Sequence, residues 1–188
     1  MKLKNIKRSI ALLLFVLIIV ILSGCSFNQY TSEVNNSDAA QGFSFIFMGD
    51  SQADPETGDY TAWGKLLKQA AQDESKPAFI MISGDLVNDG NDQEEWDAFF
   101  AAGGEVLERL KLYPAMGNHD NTELFKANFD LPNNGPEGKE GAFYSFDYGD
   151  AHFTVMDSNV MGAANPEDIE WLKKDLSETD KTYKIVMF

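Results

Sequence analysis

The chain has 188 residues, 44% hydrophobic and 12% aromatic, with fifteen basic and thirty acidic side chains and a net charge of −15. Such apolar content excludes a disordered polymer and reads as one globular domain with extra sequence attached, while the acidity excludes the Lys/Arg surfaces that nucleic acids and anionic head groups attract. A single cysteine excludes an intrachain disulfide framework.

The first eight residues, MKLKNIKR, carry four bases and no acid, and Ile10 to Leu22 is an unbroken apolar run of thirteen residues. As a helix this run reaches about 20 Å, short of a hydrocarbon core of roughly 30 Å. Bases, a short apolar stretch and then small residues form the pattern of a secretory signal, with a tilted membrane anchor as the alternative. Leu22-Ser23-Gly24-Cys25 resembles the lipobox of bacterial lipoproteins. That resemblance implies a signal peptide over residues 1–24, removal of which leaves Cys25 as a lipidated N-terminus on the extracytoplasmic face of a bacterial cell membrane. Two or more acyl chains make such attachment stable. Cleavage would leave eleven basic against thirty acidic residues, net −19. Such a surface suits a protein that collects cations, although solubility alone accounts for it too. Residues 25–42 then read as the lipidated cysteine and a flexible tether rich in Ser, Asn and Gln.

From Phe43 a pattern sets in and recurs. FSFIFMGD and PAFIMISGD are short apolar runs ended by Gly-Asp, each read as a buried strand entering a loop. Between them YTAWGKLLKQAAQDE carries Trp63, Leu66, Leu67, Ala70 and Ala71 at helical spacing. DQEEWDAFFAAGGEVLERL opens with acids, favourable at a helix N-terminus, and sets Trp96, Phe99 and Phe100 on one face. KLYPAMGNHD is a third strand and polar loop, followed by a short helix in TELFKANF. Strands alternating with amphipathic helices give an α/β fold with a largely parallel sheet. AFYSFDYGDAHFTVMDS breaks the rhythm with two strands meeting at a Gly-Asp turn of hairpin type. PEDIEWLKKDL is read as a helix with Pro166 in its first turn, and YKIVMF as another buried strand. Because the chain stops inside that strand, it is expected to be a fragment.

Sites in open α/β sheets form at the carboxyl ends of strands. Three consecutive strands end there in polar clusters: Asp50 and Gln52, then Asp85 and Asn88, then Asn118, His119 and Asp120. A glycine precedes each cluster and lets the backbone turn sharply. Carboxylate and amide oxygens with an imidazole are a ligand set for divalent cations. One Gly-Asp is an ordinary turn; three in order, the last carrying Asn-His-Asp, mark a site.

Asp50, Gly84-Asp85 and Gly117-Asn118-His119-Asp120 resemble the motifs of the calcineurin-like metallophosphoesterases, which include the purple acid phosphatases, and the likeness extends over residues 43–188. It implies the N-terminal part of a four-layer αββα sandwich, incomplete at its C-terminal side, and hydrolysis of phosphate mono- or diesters with two divalent metal ions (Mn, Fe or Zn). It further implies that Asp50 binds the first metal, Asp85 bridges both and Asn118 binds the second. His119 would contact the phosphate and assist the leaving oxygen, with Asp120 holding its ring. The chemistry is consistent: two metals about 3.5–4 Å apart clamp a phosphoryl group and turn a bridging water into hydroxide, and an imidazole suits protonation of a leaving group.

The match departs in three places. The family often has histidine where Gln52 stands; Gln52 is a weaker ligand, a residue that only supports the site, or merely a turn residue. Asn88 replaces the tyrosine that colours the purple enzymes, so no ferric purple centre is expected. Three further family histidines are absent, since the chain has two histidines and the second, His152, falls in a strand and is read as structural. The main expectation is therefore a lipid-anchored metallophosphoesterase, poorly competent as this chain alone. The alternatives are a non-catalytic lipoprotein with a decayed metal site used for binding, or a divalent-cation binding protein.

Overall fold

The computed structural model describes residues 42–120, 122–160 and 165–188. The signal segment, Cys25 and the tether up to residue 41 lie outside these residues. The described elements follow in the order β1 (Ile46–Met48), α1 (Thr61–Ala70), β2 (Phe79–Ile82), α2 (Gln93–Arg109), β3 (Lys111–Pro114) and α3 (Thr122–Asn128). They continue with β4 (Tyr144–Tyr148), β5 (Ala151–Val155), a 3-10 turn (Ser158–Val160), α4 (Pro166–Glu178) and β6 (Tyr183–Met187).

Strands β1, β2 and β3 form a parallel sheet in that order, with Ile46 opposite Ile80 and Ile80 opposite Leu112. A second sheet has the order β4-β5-β6, with β4 antiparallel and β6 parallel to β5. Strand β2 shows why the sheets stack. Its four residues are all fully buried, and successive side chains on a strand point to opposite faces. Ile80 and Ile82 join Trp63, Leu67, Trp96 and Phe99 in a core under α1 and α2. Phe79 and Met81 join Tyr113, Tyr148, Phe153 and Met187 in a second core between the sheets. That inter-sheet layer is aromatic: Tyr113 stacks on Phe146 at 3.8 Å, Phe146 on Phe153 at 4.9 Å, and Phe79 meets Phe153 edge-on at 5.3 Å. The α/β/β/α layering expected from the sequence is thus what the described residues build.

Helix α2 is capped as its sequence suggests, with the Asp92 carboxylate accepting the Glu94 amide at 2.8 Å. Helix α4 starts with Asn165 accepting the Glu167 amide at 3.1 Å and Pro166 at its first position. The hairpin turn falls at Gly149-Asp150, as expected. Helix α4 packs Trp171 and Leu172 against the first core, with Trp171 edge-on to Phe143 at 5.9 Å, and meets the second sheet through polar groups. Asp175 of α4 accepts hydrogen bonds from the Ser145 hydroxyl at 2.6 Å and the Thr154 hydroxyl at 2.7 Å. His152 lies between Asp147 at 2.7 Å and Asp175 at 2.9 Å.

Three expectations of burial are corrected. Leu66 is 56% exposed, because it lies a helical step off the Trp63–Leu67 stripe. Phe47 of β1 is 60% exposed and Tyr183 of β6 63%, so neither strand is buried throughout. Each is an outer strand in its sheet among the described residues, and an apolar run does not by itself say whether both faces are covered.

Candidate active site

The three parallel strands deliver their following loops to one end of the first sheet. The turns there are tight. Asp50 and Asp85 both adopt left-handed backbone conformations, with φ of 49° and 52°, a region that costs an L-residue about 1–2 kcal/mol and that aspartate enters more readily than most. Such strain collects at functional sites. Gly84, at φ 103°, and Gly117 let two loops touch: a Cβ on Gly84 would meet the Gly117 Cα at 2.8 Å, and one on Gly117 would meet the Asp85 amide nitrogen at 2.1 Å.

Hydrogen bonds stitch the loops together. The Asp50 amide donates to the Gly84 carbonyl at 3.2 Å and the Gln52 amide to the Asp85 carbonyl at 3.1 Å. The His119 amide donates to the Asp85 carboxylate at 3.2 Å, and the Gly90 amide to the His119 carbonyl at 2.8 Å. Asp50, Asn118 and His119 are exposed, whereas Gln52 and Asp85 are half-buried. The Gln52 side-chain oxygen Oε1 is buried and has no hydrogen-bond partner. An unpartnered acceptor of that kind is costly and fits a cation ligand. The donor set of two carboxylates and two amides also fits a hard divalent ion. Among the described residues, no group of three or more His, Cys, Asp or Glu side chains is placed to hold a metal, so the amides would have to complete any site here. Ser51 is 6% exposed with its hydroxyl unpartnered, which removes it as a nucleophile open to substrate.

The expected role of Asp120 is corrected. Its carboxylate does not hold the His119 ring. It is buried, accepts the Leu86 and Val87 amides on Oδ1 at 3.0 and 3.4 Å, and accepts the Gly117 amide on Oδ2 at 2.8 Å. Burial raises its pKa against the opposing pull of those amides. The ring of His119 is instead bonded at Nδ1 to the Asn88 carbonyl, 2.7 Å away. That bond is the main cause raising the His119 pKa, helped by Asp85, Asp120 and Glu95. Asn88 itself is pinned by its side-chain amide donating to the Ala53 carbonyl at 3.1 Å.

Sequence reasoning missed Glu95. Its Oε2 accepts the Asn88 amide at 2.7 Å, the Asp89 amide at 3.2 Å and the Tyr60 hydroxyl at 3.2 Å. The acids opening α2 were visible, but nothing in DQEE marks which of them turns inward.

Fold and site together define an α/β sandwich with a polar centre at the carboxyl ends of adjacent parallel strands. The profile of the calcineurin-like phosphoesterases matches residues 43–188, and the chain belongs to that family. It is similar to purple acid phosphatase 15 of Arabidopsis thaliana, with 26% identity over 98 residues that cover 48% of this chain and 18% of that protein. Among solved structures, purple acid phosphatase PPD1 from yellow lupin (Lupinus luteus) seeds shares the fold at a TM-score of 0.58 and 21% identity, over 76% of this chain and 29% of its own. The chain thus spans less than a third of either relative. Among the described residues, no helix is long and apolar enough to cross a membrane.

Proposed function

We propose that this chain carries the metal-holding and proton-donating part of a phosphoester hydrolase. One observation carries the reading: the three polar loops meet at one sheet end, with two strained aspartates and an unpartnered buried amide oxygen among them. Asp50, Asp85, the Asn118 amide oxygen and Gln52 Oε1 would hold two divalent cations. Once bound, the cations would activate water and neutralise phosphate charge. Asp85 is the natural shared ligand, since its loop contacts both others. His119 has Nδ1 committed to a carbonyl, which leaves Nε2 to donate a proton to the departing oxygen of a phosphate mono- or diester. Asp120 serves by holding the Asp85 loop against Gly117 rather than by touching the imidazole.

With two histidines in its sequence, the chain offers a ligand set dominated by oxygen, and we expect weak metal affinity and low turnover from these 188 residues alone. Among the described residues no three His, Cys, Asp or Glu side chains group to hold a metal, and that favours one second reading, a scaffold that binds a cation or ligand without turnover. The motif Leu22-Ser23-Gly24-Cys25 supports export and lipid anchoring at the outer face of the membrane; Cys25→Ser should move the protein from the membrane to the soluble fraction.

The test is Mn²⁺ binding by calorimetry for wild type and Asp85→Asn, with aryl phosphate hydrolysis measured with and without EDTA. Binding lost in the variant and hydrolysis abolished by EDTA support the enzyme. Binding without hydrolysis selects the second reading. Hydrolysis indifferent to EDTA, or no binding of any divalent ion, overturns the proposal.

A further inference from the structure

The loop after β2 presents four consecutive amides to side-chain carboxylates: Leu86 and Val87 to Asp120, Asn88 and Asp89 to Glu95. Glu95 occupies the third position of α2, after Asp92 as N-cap. A glutamate there commonly reaches back to the N-cap amide; this one reaches further, to residues 88 and 89. The Asp89 N–H and the Asn88 carbonyl belong to one planar peptide group and point in opposite directions. Glu95 accepts from the nitrogen side at 3.2 Å, and His119 Nδ1 lies on the oxygen side at 2.7 Å. A carbonyl only accepts, so Nδ1 must carry the proton. The result is a continuous chain of carboxylate, peptide and imidazole in which each hydrogen bond polarises the next.

We propose that Glu95 is a positioning residue which, through the Asn88–Asp89 peptide, fixes the ring of His119 with Nδ1 protonated and with Nε2, which carries the second proton in the imidazolium, turned to the substrate. The arrangement does through one peptide what a carboxylate touching the ring would do directly. The inference rests on the reading of His119 as proton donor only for its catalytic consequence; the proton on Nδ1 stands apart from it.

The experiment uses the full chain, with Glu95→Ala and Glu95→Gln, and reads the His119 ring nitrogens by proton–nitrogen NMR. In wild type, Nδ1 should be protonated and its proton slow to exchange with water. In Glu95→Ala that proton signal should be lost to exchange, and in Glu95→Gln, whose neutral oxygen can still accept, it should persist but shift upfield. A folded Glu95→Ala with an unchanged Nδ1 signal overturns the proposal. If that variant fails to fold, Glu95→Gln decides, and an unmoved Nδ1 proton there overturns it equally. Where hydrolysis is measurable, Glu95→Ala should lose roughly tenfold more kcat on an alkyl ester, which needs the proton, than on an aryl ester, with KM unchanged. Absence of hydrolysis in wild type would count against the enzyme reading while leaving the NMR outcome to judge Glu95.

Discussion

Replacing Asp120 by asparagine separates its observed role from the one its sequence position suggests. The carboxylate satisfies three backbone amides with two oxygens, Leu86 at 3.0 Å and Val87 at 3.4 Å on one, Gly117 at 2.8 Å on the other. An asparagine has one oxygen, so its NH₂ must face either Gly117 or the Leu86–Val87 pair, donor against donor. At least one amide loses its acceptor, at about 1–3 kcal/mol, and the surviving bonds become neutral rather than charge-assisted. Relief of the buried carboxylate, whose pKa burial already raises, offsets part of this. We expect a net loss of about 2–4 kcal/mol, out of the 5–15 kcal/mol typical of a domain. Urea unfolding with an unchanged slope should show it as a midpoint lowered by roughly 1 M or more. A loss below about 0.5 kcal/mol, the level of an ordinary surface change, would refute the clamp. A carboxylate that served the imidazole would give the opposite pattern, with stability kept and the His119 ring disturbed.

Other predictions concern the core, the metal and pH. Phe79→Ala empties a fully buried ring site between the sheets and should cost about 3–5 kcal/mol in thermal denaturation; a melting temperature within a few degrees of wild type would deny that core. Gln52→Ala should weaken Mn²⁺ binding about tenfold by calorimetry, and an unchanged affinity would remove Gln52 from the ligand set. Burial opposes the charge on His152, but its hydrogen bonds to Asp175 and Asp147 outweigh that and raise its pKa. Its stabilisation is therefore complete below the ordinary histidine value of 6.5 and is lost as pH rises through the folded value. The stability gap between wild type and His152→Gln should be about 1–3 kcal/mol at pH 5.5 and shrink above neutrality; a gap that widens with pH would reverse the assignment.

Much of this is legible in the sequence. The four-residue run Phe79–Ile82 between turn residues reads as a strand covered on both faces, and it lies at the centre of its sheet. The Gly-Asp and Gly-Asn-His-Asp endings announce the loops because only strand tips combine a sharp turn with so many oxygens. What the sequence could not carry was long-range aim. Asp120 adjoins His119 in the chain, yet its side chain turns to backbone amides, while Glu95, twenty-four positions upstream of His119, reaches the peptide that the ring touches. Adjacency in sequence fixes a neighbour's Cα but not its rotamer. The exposure of Tyr183 and Phe47 was hidden for a related reason, since burial depends on what lies alongside and not on hydropathy.

The two helix–sheet contacts of this molecule differ in their share of polar groups, and that difference bears on the order in which it comes apart. Helices α1 and α2 are fastened to the first sheet by indole, phenyl and aliphatic groups, a large apolar area that yields only with the whole structure. Helix α4 faces the second sheet across a seam in which one carboxylate, Asp175, receives Ser145, Thr154 and His152 together. Water can replace every one of those partners. Trp171 and Leu172 add apolar contact to the first core and Asp168 pairs with Lys139, so α4 is the more weakly attached layer rather than a loose one. Native-state hydrogen exchange should find its amides opening below the global free energy, in a step that alkaline pH makes easier.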